Sequence, residues 1–103
     1  LAMARAAGID DQTFADTVAD ASGASYALDR NMSRFVIPDE FSSEFTLDLM
    51  EKDVKLAERF ADESDVPLLL GNVSGLYRVA SSMGYGDLDC SAIVKLYEDL
   101  RRE

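Results

Sequence analysis

The stretch Met50 to Phe60, MEKDVKLAERF, constrains this chain more than any other, because it has helical spacing and yet breaks its own pattern. Residues three and four apart share one face of a helix. By that rule Phe45, Leu49, Leu56 and Phe60 make an apolar line, and Lys52 falls on it, three after Leu49 and four before Leu56. Asp53 follows Leu49 by four and lies on the same side. An apolar line of this length is expected to meet a core, so the two charges within it need a reason. One reason is snorkelling: the Lys52 stem covers apolar surface while its ammonium reaches water. The other is that both charges point into a polar site between this helix and something else.

The rest of the chain also reads as helix. Leu1 to Ala7 is helical and stops at Gly8, which takes a left-handed or turn conformation without penalty. Asp10 or Asp11 caps a second helix running to about Ala21, and Ala24 to Phe35 makes a third through Tyr26, Leu28, Met32 and Phe35. A loop follows, with Pro38 disfavouring helix at Ile37. Ser42 or Ser43 caps the long fourth helix, about Thr46 to Ser64. Asp65 caps the fifth, about Pro67 to Met83, with Leu69, Val73, Leu76, Ala80 and Met83 on one face. Gly71 and Gly75, four apart, predict close packing of a neighbouring backbone. After the turn Gly84 to Asp89, Asp89 or Ser91 caps the last helix, whose carboxyl end Arg101 and Arg102 favour. No stretch reads as strand. The expected class is all-α, a compact bundle of about six helices filling one domain.

Composition removes several functions. The 20 acidic and 10 basic residues leave a net charge of −10, which argues against a nucleic-acid or anionic-membrane surface. No apolar run approaches the ~20 residues of a membrane span. Without histidine and with Cys90 as the single cysteine, an internal disulfide, a thiol or imidazole metal site and histidine-based catalysis are excluded within this chain. A reducing, cytoplasmic setting is the default expectation. There is no GxGxxG and no nucleophile elbow. Asp87 and Asp89, beside a glycine-rich turn, read as caps and turn formers rather than as an acid–base pair. The start, LAMARAAGID, reads as the last turns of a helix that begins upstream, so the chain is expected to be a fragment.

Five pieces, in order, carry a resemblance: SGASYAL (Ser22 to Leu28), FTLDLMEKDVKLA (Phe45 to Ala57), VPLL (Val66 to Leu69), Leu76 with Tyr77, and GYGDLDCSA (Gly84 to Ala92). Each alone is weak. Together they make nearly the whole chain resemble the C-terminal helical domain of the 3-hydroxyisobutyrate dehydrogenase family, the β-hydroxyacid dehydrogenases. The fold so implied is that of the C-terminal domain of 6-phosphogluconate dehydrogenase-like proteins.

The resemblance implies an N-terminal Rossmann domain binding NAD or NADP, and a catalytic lysine on the linking helix, both upstream of Leu1. The implied chemistry is hydride transfer between the cofactor and a small 3-hydroxy acid or its aldehyde or keto form. This chain then holds no catalytic residue and is silent alone. Lys52 matches the lysine that contacts the nicotinamide cofactor. Asp53 matches the acidic residue beside it, Phe45 an aromatic on the substrate side, and Asp89 a structural turn aspartate. Homo-oligomers are implied as well, with Gly71, Gly75 and the Tyr77 face as candidate contacts. The competing expectation, from composition alone, is a non-catalytic acidic helical interaction module.

Overall fold

The computed structural model describes residues 1–101, and over them the chain forms six α-helices. They are α1 (Ala2–Ala6), α2 (Asp11–Ala19), α3 (Tyr26–Asn31), α4 (Leu47–Glu63), α5 (Leu70–Ala80) and α6 (Ile93–Leu100). Widened π-helical turns extend α3 over Met32–Val36 and α5 over Ser81–Tyr85, and a 3-10 turn, Cys90–Ala92, leads into α6. No strand longer than a single bridge, Thr46 to Asp89, occurs among the described residues. The all-α expectation holds. The part of the chain end that includes Arg102 lies outside the described residues.

Local chemistry explains most boundaries. Gly8 adopts φ 82° and lets Ile9 N–H donate to Ala4 O at 3.0 Å, closing α1. Asp10 caps α2 by accepting from Thr13 N–H at 2.9 Å, and Ser25 caps α3 by accepting from Leu28 N–H at 3.0 Å. Several boundaries differ from expectation. Thr46, not Ser42 or Ser43, caps α4, accepting from Leu49 N–H. Asp65 does not cap α5. It takes a left-handed conformation, φ 55°, just past the end of α4, and Val66 N–H closes onto Ala61 O at 2.9 Å. That turn uses the residues that would have opened α5, so α5 starts at Leu70, beyond Pro67 and without a side-chain cap. Ile37 keeps helical dihedrals despite Pro38, and the chain turns instead at Asp39, φ 54°.

Met32, Phe35, Val36, Phe41, Leu47, Ala80, Ala92 and Leu96 form the buried core. Phe14, Leu28, Leu76 and Tyr77 pack against it, half-buried. Tyr26, expected on the same line as Met32, is exposed. The largest revision concerns α4. The line Phe45, Leu49, Leu56, Phe60 does not meet the core and is exposed along its whole length. A different line, Leu47, Met50, Val54 and Ala61, turns inward toward α5 and the turn Cys90–Ala92. Both lines have helical period, so periodicity alone does not choose between them. The glycines of α5 also depart from expectation. A Cβ at Gly75 would meet nothing within 4 Å, and one at Gly71 would meet the Glu58 carboxylate at 3.3 Å. Neither shows a neighbouring backbone packed close among the described residues.

Arg5 ties the first helices to the last. Its guanidinium grips both Asp11 oxygens, at 2.9 and 2.8 Å, and reaches Glu98 at 2.8 Å. The hydrogen bond from Arg5 holds the Asp11 carboxyl below its usual range. A carboxylate whose folded pKa is lowered contributes stability above its unfolded value, about 4, and loses it as pH falls through the folded value. Asp11→Asn should therefore flatten the loss of stability below about pH 4, measured by urea unfolding across that range. Substitutions on α4 check its orientation. Leu47→Ala should cost roughly 2–5 kcal/mol, since Leu47 is fully buried. Leu56→Ala should cost about 0.5 kcal/mol or less. The reverse ranking in urea titrations would mean that α4 is rotated the other way.

Candidate functional site

The outward face of α4 begins just before the helix. Ser43 Oγ accepts from Phe45 N–H at 2.9 Å, forming a small turn, and Thr46 then starts the helix. Phe45, Leu49, Leu56 and Phe60 line the face, the last of them 72% exposed. Lys52 and Asp53 flank the line at its middle. The Lys52 ammonium lies 3.5 Å from Asp53 Oδ1, and the two side chains are 61% and 50% exposed. This is not snorkelling over the core, because the core is on the other side of the helix. The structure therefore brings Phe45, Lys52 and Asp53 to one solvent-facing surface.

Beside Lys52 runs a shallow groove of about 340 Å³, walled by Asp48, Glu51, Lys55, Leu56 and Arg59. Lys55 is held by Glu51 at 2.7 Å. Lys52 shares its charge with the exposed Asp53 at longer range and keeps donors to spare. A cation beside a carboxylate, next to apolar contacts and an open groove, can bind and orient a polar ligand. A second hollow, about 350 Å³ and apolar, lies between α1 and α6 along Leu1, Met3, Ile93, Val94 and Tyr97. It includes neither Lys52 nor Asp53.

Asp89 sits behind this face and is fully buried. Its Oδ2 accepts from Ser91 N–H at 2.9 Å and from the Ser91 hydroxyl, capping the turn into α6. The structural role expected of this turn aspartate agrees with that contact. Its Oδ1 is buried with no hydrogen-bond partner among the described residues, a cost of about 1–3 kcal/mol. Burial first, and then Asp89, push the neighbouring Cys90 thiol up to about 11. Burial first, and then Cys90, Tyr97 and Asp89, raise the Tyr77 phenol as well.

Two features of this region escaped the sequence. One is the contact of the Asp48 carboxylate with Gly86, where a Cβ would fall within 2.5–2.8 Å of it. The other is the donation of Cys90 N–H to Phe45 O at 3.0 Å. Both join residues about forty positions apart, which helical periodicity cannot pair. Gly86 leaves the room that the Asp48 carboxylate fills, but nothing in the sequence pairs the two residues.

A family model described as the NAD-binding domain of NADP-dependent 3-hydroxyisobutyrate dehydrogenase matches residues 1–97. The chain belongs to this family. Among curated relatives it is 31% identical to 2-(hydroxymethyl)glutarate dehydrogenase of Eubacterium barkeri, over 90% of this chain and 31% of that one. It is 30% identical to L-threonate dehydrogenase of Escherichia coli K12, over 97% of this chain and 33% of that one. Among solved structures, 3-hydroxyisobutyrate dehydrogenase from Salmonella typhimurium superposes with a TM-score of 0.83 at 30% identity, over 92% of this chain and 33% of that one. The family member thus spans about a third of the length of the dehydrogenases it matches.

The raised thiol has a direct consequence. An acid whose folded pKa lies above its unfolded value, about 8.5, stays neutral until pH rises toward the folded value. Cys90 in the folded protein should resist iodoacetamide at pH 8 and react promptly in denaturant, followed by mass spectrometry. Equal rates in the two states would contradict its burial.

Proposed function

We propose that this chain is the C-terminal helical domain of an NAD(P)-dependent β-hydroxyacid dehydrogenase, and that its outward α4 face forms one wall of the cofactor and substrate cleft. The observation that carries the proposal is the exposure of the whole Phe45–Phe60 line with Lys52 and Asp53 set into it. A freestanding module has no use for such a face. A domain that closes against a dinucleotide-binding partner domain does. Family membership over residues 1–97, and relatives named as dehydrogenases, support the same reading.

The residues present fit a nicotinamide cofactor. Lys52 is a compact cation with free donors, suited to a hydroxyl or phosphoryl oxygen. Asp53 orients Lys52 from 3.5 Å. Leu49, Leu56 and Phe45 exclude water from the same surface once the cleft closes, and Phe45 lies on the substrate side. When bound, the cofactor supplies hydride transfer to or from a small 3-hydroxy acid. In this reading the Rossmann domain, and a lysine acting as general acid or base at the substrate oxygen, belong to the part of the protein that precedes Leu1. A homo-oligomer in the cytoplasm, with the Gly71, Gly75 and Tyr77 side of α5 as a subunit contact, completes the proposal. The acidic-scaffold alternative explains the net charge but leaves Lys52 and Asp53 without a task.

The test is Lys52→Ala in the full-length protein. Loss of a charged hydrogen bond of about 1.5–3 kcal/mol should raise the KM for the nicotinamide cofactor about ten-fold or more, with a smaller effect on kcat. Steady-state kinetics with NAD and NADP against a panel of small 3-hydroxy acids measure it. A full-length protein that turns over none of them would overturn the dehydrogenase reading, and one whose cofactor KM ignores the substitution would remove Lys52 from the cleft.

A further inference from the structure

We infer that the turn Gly86–Asp89 is the positioning element of the cleft wall, with Gly86 and Asp89 acting through α4 to aim Phe45 and Lys52. The inference rests on the cleft reading above and deepens it.

Two segments far apart in sequence run side by side here. Asp89 N–H donates to Phe41 O at 2.7 Å and Cys90 N–H to Phe45 O at 3.0 Å. In the other direction, Leu47 N–H donates to Leu88 O at 2.8 Å and Asp48 N–H to Gly86 O at 3.1 Å. The last two matter for α4 itself. The first N–H groups of a helix have no partner within it. In α4 those of Leu47 and Asp48 are taken by carbonyls of the turn, and that of Leu49 by the Thr46 hydroxyl. The turn therefore sets where α4 begins and how it is rotated about its axis.

Side-chain packing completes the strap. Gly86 is buried, and the Asp48 carboxylate occupies the space a Cβ would need, with atoms at 2.5, 2.7 and 2.8 Å from it. Asp89 is locked by Ser91 on the other side of the turn, which ties the strap to the start of α6. Phe45, Leu49, Lys52 and Asp53 are more than a third exposed, so little else in the chain holds their aim. Their direction comes from the backbone beneath them. A small displacement of α4 would re-aim Lys52 before it opened the core, because Leu47 and Ala61 anchor the opposite face.

A merely structural turn and a positioning turn differ in what a folded variant does. The experiment compares Gly86→Ala, Gly86→Ala with Asp48→Ala, Asp89→Ala and Asp89→Asn in the full-length protein, reading thermal midpoint, kcat and KM for cofactor. Gly86→Ala should lower kcat/KM for the cofactor about ten-fold or more, through KM, in protein that remains folded. Removing the Asp48 carboxylate as well should restore most of that loss, because it removes the atoms the new methyl strikes. Asp89→Asn keeps an acceptor for the Ser91 N–H and should stay near wild type, whereas Asp89→Ala should follow Gly86→Ala. Folded variants with lowered midpoints but unchanged KM and kcat per folded molecule would reduce the turn to a stabilising element and overturn the inference. If Asp89→Ala does not fold, the Gly86 pair decides alone. Wild-type protein with no dehydrogenase turnover and no cofactor binding would overturn the cleft reading, and this inference with it. Normal wild-type kinetics with insensitive variants would overturn the inference only.

Discussion

A helix with apolar side chains on two opposite faces can bury only one of them in a domain this small, and the structure is organised by that constraint. The inner line of α4, which buries Leu47 and Ala61, faces α5 and the turn Cys90–Ala92. The outer line, Phe45 to Phe60, is left in solvent. Charged residues such as Glu51, Lys55 and Arg59 lie between the two lines, so α4 is amphipathic rather than apolar all round. The radius of gyration is 14.6 Å, against about 13 Å for an average domain of 100 residues. The core that results is small, and the outer face stays in contact with solvent.

Electrostatics follow the same division. Inside the bundle, charges are tied. Arg5 binds Asp11 and Glu98 and holds three helices together, while Lys95 lies over the Phe41 ring, 4.7 Å from its centroid. On the outer face the cations at Lys52, Lys55 and Arg59 gather within one helix of a chain that is otherwise strongly acidic. Lys55 is engaged by Glu51 at 2.7 Å, and Lys52 lies 3.5 Å from Asp53.

Helix punctuation was legible where it depends on one residue's own chemistry. Gly8 ends α1, Asp10 opens α2 and Asp89 caps the turn into α6, because each satisfies backbone groups within a few positions. It was misread where two local signals competed. Asp65 can cap a helix that follows it or turn out of one that precedes it, and the closing bond from Val66 to Ala61 favours the second. The candidate residues were legible as an anomaly: Lys52 and Asp53 interrupt an apolar line, and the line does share one face with Phe45. Their support was not legible. The hydrogen bonds of Asp48 N–H to Gly86 O and of Cys90 N–H to Phe45 O join distant segments through backbone atoms, which no side-chain pattern announces.

By itself the sequence determined the helical class, the order of the helices, most of their ends and membership of the dehydrogenase family, since all of these rest on local spacing and motif order. The tertiary structure alone decided which face of α4 is inside. Both apolar lines share one period, so local energetics are nearly indifferent between them. The choice is made by partners from far along the chain: the carbonyls of Gly86 and Leu88, which take the first donors of α4, and the core around Ala92 and Leu96, which receives Leu47. Once that rotation is set, Lys52 and Asp53 face outward because the helix has turned its other side to the core.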